Sequence, residues 1–326
     1  MRESLNVAKY VFIALGVVAF IAGFLFKEGK IGKRAAIPRE TPLIKLDSYL
    51  KPVDPAVIGY KEIDRIDLAL KKPTAMAVSD ADIVSVAGDS QILIFKNKDK
   101  KFLKIFIDAP AGCMTFAPNG QLFIGMTDHV QVFSDAGENL GSWGKFNDAA
   151  SLTSIAATGD DVFAADAGNK IIWHCAPDGT VLGKIGERDV AREKYGFFIP
   201  GPFFDVAIGY EGLLWAVNPG RLALENYAFD GSLRSSWSKI SVDVDGFCGC
   251  CNPTHMAILP DGAFVTAEKG IPRVKIHDQT GALRTVVAAP TSFAEDAIIA
   301  DIAIDSQQRI LVLDQTARAV RIFAKK

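Results

Sequence analysis

The chain has 326 residues, 49% of them hydrophobic, with 36 Lys and Arg against 38 Asp and Glu. That composition supplies a sizeable core and excludes a disordered protein. Six basic and two acidic side chains precede residue 35, leaving the remainder with 30 against 36, a net of −6; a mildly acidic body lacks the basic face that nucleic-acid binding requires, so no nucleic-acid partner is expected.

A short flank, residues 1–9, leads into an uncharged run of 17 residues, Tyr10 to Phe26, YVFIALGVVAFIAGFLF. This is the short end of what spans a bilayer. Its apolar core runs directly into Lys27, Lys30, Lys33 and Arg34, not into a small-x-small cleavage site, so an uncleaved transmembrane anchor over 10–26 is expected, with the membrane as its partner. The excess of positive charge after the run leans towards a cytoplasmic downstream side. Residues 27–56 are rich in charge and proline and read as a linker.

From residue 57 onward a pattern repeats. Apolar triplets with a small middle residue recur at Met76-Ala77-Val78, Met114-Thr115-Phe116, Ile155-Ala156-Ala157, Val206-Ala207-Ile208, Met256-Ala257-Ile258 and Ile302-Ala303-Ile304. Each is followed by a turn and a second apolar run: DIVSVAG, QLFIGMT, DVFAAD, LLWAV, AFVTAE and RILVLD. Third strands follow at 91–95, 129–133, 170–174, 223–227, 273–277 and 319–323, each ending in a ring-bearing residue. Hairpin signals come next, Asp178-Gly179, Asp230-Gly231 and Thr280-Gly281, because glycine supplies the positive φ of a tight turn. Four short strands at this period predict an all-β fold, a six-bladed β-propeller over 57–326. The sixth unit stops at Phe323 after three strands. Within Tyr60–Leu70, Ile66, Leu68 and Leu70 alternate onto one face, so this stretch is expected to supply the missing outer strand and close the ring.

The stretch 161–179, DVFAADAGNKIIWHCAPDG, resembles the NHL repeat, whose units read V-x-V-A-D-x-x-N-x-R-I-x-x-F followed by a D-G turn. VTAEKGIPRVKIHDQTG and LVLDQTARAVRIF are similar, with Glu268 and Asp314 in the Asp166 position. Gly88, Met126 and Asn218 replace the acidic residue in units one, two and four. The segment GFCGCCNPTHMAILPDGAFVTAEKGIPRVKIHDQTG is similar to a group of bacterial NHL-repeat proteins, many of them membrane-anchored. The resemblance implies a single-pass protein of the bacterial inner membrane with a periplasmic propeller. It implies a fold far more than a function.

Three of the five cysteines fall within four positions, in DGFCGCCNPTH. In a propeller this segment is the connection from blade four to the channel-lining strand of blade five, so it rims the channel mouth. Loops on a rigid scaffold concentrate binding residues. The long connections 187–200 and 288–297 lie at the same mouth. The residue before each inner triplet is Ala75, Cys113, Ser154, Asp205, His255 or Asp301, and pseudo-symmetry makes these a ring. The candidate ligands are Cys248, Cys250, Cys251 and His255, with Cys113 more distant. Three chemistries are open: zinc, copper or an iron–sulfur cluster; a Cys248–Cys251 redox dithiol; or a structural disulfide. Asp205 and Asp301 have a plainer reading, capping backbone N–H groups. His174 and His277 stand where other units carry packing aromatics, His129 takes an edge-facing polar position, and Cys175 is a lone thiol. No Walker loop, dinucleotide fingerprint, haem motif or motif-placed triad is present; 183–187, GKIGE, is a strand end.

Three functions follow as expectations. The first is a membrane-tethered binding or scaffold module holding a protein or small ligand at the channel mouth, with a protein partner in a membrane complex. The second is a metal- or thiol-dependent redox accessory using the CGCC loop. The third is a metal-dependent lactonase- or lyase-like enzyme using Asp205, His255 and Asp301.

Overall fold

The computed structural model describes residues 52–96, 102–188, 196–249 and 251–326. The expected anchor, most of the linker and Cys250 lie outside the described residues. No described helix is long and apolar enough to cross a membrane.

Six four-stranded antiparallel sheets follow one another around an axis. Blade one is β2 (Pro73–Val78), β3 (Val84–Gly88), β4 (Gln91–Phe95) and β5 (Phe102–Phe106). Blade two is β6 (Cys113–Phe116), β7 (Leu122–Gly125), β8 (Val130–Phe133) and β9 (Asn139–Ser142). Blade three is β10 (Leu152–Ala157), β11 (Val162–Asp166), β12 (Ile171–Cys175) and β13 (Val181–Ile185). Blade four is β14 (Val206–Ile208), β15 (Leu214–Asn218), β16 (Ala223–Tyr227) and β17 (Leu233–Ser238). Blade five is β18 (His255–Ile258), β19 (Phe264–Glu268), β20 (Arg273–His277) and β21 (Leu283–Ala288). Blade six is β22 (Ile299–Ile304), β23 (Ile310–Asp314), β24 (Ala319–Lys325) and, from the other end of the chain, β1 (Tyr60–Asp67).

The closing strand is the one expected. Tyr60 pairs with Lys325 and Asp67 with Ala319, and Ile66, Leu68 and Leu70 are buried. Arg321 on β24 donates to Glu62 on β1 at 2.5 Å and faces Asp314 at 3.4 Å, so an ion pair fastens the closing strand to the last blade.

The second strand of every blade is buried at all its positions, whereas the outer strands β5 and β9 are exposed along most or all of their length. A middle strand is covered on both faces by neighbouring blades, so its sequence is a continuous apolar run instead of an alternation. Six apolar clusters fill the six gaps between blades. The gap between blades four and five has the smallest, because Thr266, Glu268, Arg273, Lys275 and His277 are buried on its blade-five side.

The acidic residue of the repeat is a turn clamp. Asp166 accepts the backbone N–H groups of Ser151 (2.9 Å) and Asn169 (3.0 Å), the Asn169 amide (2.6 Å) and the Trp173 indole N–H (2.9 Å). Buried donors and acceptors must be paired, and one carboxylate here satisfies the turn, the incoming chain and the next strand. Asp314 accepts the Ala317 N–H at 2.8 Å, and Asn218 accepts the Phe198 N–H at 3.0 Å.

Candidate functional site

The connections from fourth to first strands arrive at one mouth of the channel, where the inner strands begin. A cavity of about 380 Å³ occupies the channel, lined from all six blades, with Cys113, Ser154, Asp205, His255 and Asp301 among its walls. Of the six positions in the ring read from the repeat, these five line the channel and Ala75 does not.

Its members have unequal tasks. An inner strand leaves one edge unpaired, and its N–H groups need acceptors. Asp301 receives the N–H groups of Met76, across the seam into blade one, and of Ile302, both at 2.8 Å. Asp205 receives those of Met256 in blade five at 2.6 Å and of Val206 at 2.9 Å. Ser154 donates its hydroxyl to Asp205 at 2.5 Å and accepts from Val206 at 3.2 Å. These three side chains latch one blade to the next, so the capping role of both aspartates is real. Cys113 turns its thiol to Gly125 of its own blade. His255 keeps Nδ1 4.0 Å from Asp301 Oδ1, beyond hydrogen-bond reach.

Burial governs the ionisation of the ring. It raises the Asp301 carboxyl to about 8, with Asp205 adding repulsion. It raises Asp205 to about 6 against hydrogen bonds from Ser154, Met256 and Val206. It lowers His255 to about 4, so the imidazole is neutral at pH 7. The Cys113 thiol is pushed far up, chiefly by burial and further by Asp301 and Asp205, and is not a thiolate.

The CGCC loop is fastened elsewhere. Phe247 donates its N–H to Lys239 O at 2.7 Å, and its buried ring packs near His277 (5.2 Å) and Trp237 (6.0 Å). The Gly246 carbonyl accepts Lys275 Nζ at 2.6 Å and Arg273 Nη2 at 3.2 Å. Asn252, preceding a cis peptide to Pro253, donates to Cys248 O at 2.8 Å and Lys269 O at 3.2 Å and accepts the Lys269 N–H at 2.9 Å. Cys248 is buried against blade five; burial and then Glu268 raise its pKa, opposed by Arg273 and Lys275. Cys251 is buried at φ +80° on the Gly201 side of the loop. His255 instead lines the channel. Among the described residues no three His, Cys, Asp or Glu side chains converge as a metal site.

The remaining histidines pack or pair locally. His174 stacks on Phe163 at 4.7 Å and bonds Asp161 at 2.5 Å; His129 bonds Asp128 at 2.8 Å. His277 lies between Trp237 and Phe247, its ring nitrogens without a hydrogen bond of ordinary geometry although the Asp245 backbone is near; burial and then Lys275 lower it to about 3. Cys175 is fully buried.

Sequence reasoning missed the buried cluster of Glu268, Arg273 and Lys275. Arg273 bonds Glu268, and Lys275 reaches it at 3.0 Å. The signal was available: Lys275 stands where Leu93 and Trp173 occupy blades one and three.

No protein-family model matches the chain, and no curated protein matches it in sequence. Solved structures match its fold. A streptogramin B lyase superposes with TM-score 0.61 at 10% identity, over 84% of this chain and all of its own. Virginiamycin B lyase from Staphylococcus aureus gives 0.60 at 13%, over 82% of this chain and all of its own. A Bacteroides thetaiotaomicron protein of unknown function gives 0.59 at 15%, over 82% and 76% respectively. The chain is thus an all-β six-bladed propeller resembling the virginiamycin B lyase propellers, closed by its N-terminal strand.

Proposed function

We propose that this chain is an NHL-like, membrane-tethered propeller that binds a small ligand at its channel mouth, with residues 10–26 as the anchor and the propeller on the periplasmic side of a bacterial inner membrane. The observation that carries the binding reading is the cavity of about 380 Å³ walled by all six inner strands. Ligand sites favour concave, preformed places with a few fixed polar groups. The hydrogen bonds of Ser154, Asp205 and Asp301 across blade seams hold those groups rigid. The NHL assignment draws support from Asp166 and Asp314, whose carboxylates cap the turn after the second strand.

The test is a thermal-shift screen of a chemically broad set of small molecules. It compares the native chain with Ala257→Phe and Ala303→Phe, which fill the channel from two different strands. At least one compound class is expected to raise the Tm of the native chain and of neither filled variant. If no compound distinguishes them, the channel is not a binding site.

A second reading has one observation in its favour. The neutral His255 imidazole beside Asp301 could act as a general base inside the cavity, as a lyase-like enzyme would need. Incubation with a streptogramin B, followed by mass spectrometry of the products, tests it. An unchanged substrate profile in the native chain would end that reading.

A further inference from the structure

Resting on the channel-mouth reading, we propose that the ligand is a protonated amine carrying a short apolar body, its ammonium group lying between Asp205 and Asp301. Three observations converge. First, the described residues lining the cavity include Asp80, Asp205 and Asp301 but no lysine or arginine, so the positive charge that would balance the carboxylates is not supplied by the protein. Second, the backbone N–H donors of Met76, Val206, Met256 and Ile302 are already committed to these carboxylates. Each carboxylate oxygen has two lone pairs, so the two carboxylates keep acceptor capacity beyond the backbone donors they already serve; an ammonium, with three donors and no acceptor, is the complement of that pair. Third, Val78, Ile208, Ile258 and Ile304 line the same cavity. They stand three residues beyond ring positions on their strands, roughly 10 Å along the axis, and form an apolar sleeve beneath the polar ring. A bare metal ion would leave that sleeve unused, and no metal-holding group of three donors exists among the described residues.

Ionisation supports the same ligand. The groups facing Asp301 from the neighbouring strands are Asp205, His255 and Cys113, none of them cationic at pH 7. A cation arriving beside Asp301 would therefore displace a proton, and its affinity would rise with pH.

The experiment is isothermal titration calorimetry on the full chain in detergent, using n-butylammonium, the neutral n-butanol, and Ca²⁺ and Zn²⁺ alone. Butylammonium is expected to bind at least about tenfold more tightly than butanol, a typical margin for a charge-assisted bond, and roughly a hundredfold more tightly at pH 9 than at pH 6, the factor by which one proton held to about pH 8 competes. Asp301→Asn, which keeps an acceptor for one backbone N–H, is expected to remove most of both differences. Asp205→Asn gives an independent second reading, with thermal unfolding showing that each variant is folded. Equal binding of butylammonium and butanol, or amine binding unchanged in both folded variants, would overturn the amine. Binding of either metal alone in preference to the amine would overturn it too. If amines fail while other compounds still distinguish the native chain from its filled-channel variants, only the ligand class falls and the channel-mouth reading stands.

Discussion

The Asp301 carboxylate of the last blade accepts the Met76 N–H of the first blade at 2.8 Å. Fifty-one residues apart in the chain, Asp205 and Met256 repeat the relationship between blades four and five at 2.6 Å. Antiparallel ladders hold each blade together, but nothing in a ladder joins one blade's inner strand to the next. A carboxylate at the start of the inner strand does so without disturbing the apolar packing between sheets.

The latch has a pH signature. Asp301 is raised from 3.8 to about 8, mainly by burial and then by Asp205. Between these values the unfolded chain has lost the proton and the folded chain keeps it. The group's contribution to stability is therefore fully present below about 4 and declines as pH rises to 8. Asp205 acts in the same direction up to about 6. Asp301→Asn removes one titration, so its urea-unfolding free energy should fall less steeply than the native chain's between pH 5 and 8. Parallel profiles would mean that Asp301 does not titrate there.

Two glycines separate backbone strain from crowding. Gly179 has φ +90°, and a Cβ there would lie 2.5 Å from Trp143 of the preceding blade; Gly120 has φ +85° with open space around it. Gly120→Ala is expected to cost about 1 kcal/mol for the left-handed backbone alone. Gly179→Ala should cost about 1–3 kcal/mol more, since the indole must shift within a packed interface. Denaturant midpoints of the two variants, read at equal m-values, make the comparison.

Blade number, strand order and closure could be read from the chain because every unit repeats an apolar triplet and a buried run, and most add a ring at the end of the third strand and a glycine turn; blade three departs, with Cys175 and not His174 in the register of Phe95 and His277. That Cys113, Ser154, Asp205, His255 and Asp301 line the channel follows the same logic, since each precedes an inner triplet in its own unit. What could not be read was direction. Whether Asp205 turns towards a ligand or towards Met256 N depends on the spacing between neighbouring blades, which no single repeat encodes. His255 stands four residues from Cys251, and proximity in sequence suggested a shared site. The loop instead packs Cys248 against the Glu268, Arg273 and Lys275 side of blade five, while His255 begins the channel-lining strand.

Closure by β1 should make the propeller one cooperative unit. Arg321 is largely buried, with Glu62 of β1 and Asp314 as its partners and the Phe293 ring 4.7 Å away. Glu62→Ala leaves the guanidinium with its longer, 3.4 Å partner and is expected to cost about 1–3 kcal/mol. Asp67→Ala, at an exposed pair with Arg65, should cost under about 1 kcal/mol. Unfolding followed by tryptophan fluorescence, with all four tryptophans outside blade six, should show the Glu62→Ala loss in full. A separate early transition confined to blade six, silent to those tryptophans, would mean that closure does not couple the ring.

The blade-five cluster gives the sharpest expectation. Glu268 is a fully buried carboxylate serving Arg273 and Lys275, and Lys275 also donates to Gly246 O in the CGCC loop. Removing one partner of a buried ion pair leaves an uncompensated charge, a loss of about 3–5 kcal/mol. Glu268→Gln should show it at pH 7. Burial lowers Lys275 from 10.5 to about 8, against the opposing pull of Glu268, and without Glu268 the amine should deprotonate at still lower pH. A base whose folded pKa is depressed is destabilising below that pKa and relieved as pH rises towards the unfolded value. The Glu268→Gln defect should therefore shrink between pH 7 and 9, while the native chain changes less. Adding Lys275→Met should recover part of the loss at pH 7, since a methionine fills the stem's volume without a charge. Because Lys275 also holds Gly246 O, the double variant should loosen the CGCC loop, seen as faster alkylation of Cys248 by iodoacetamide. A defect independent of pH and unrelieved by Lys275→Met would show that the cluster's charge is not what Glu268 balances.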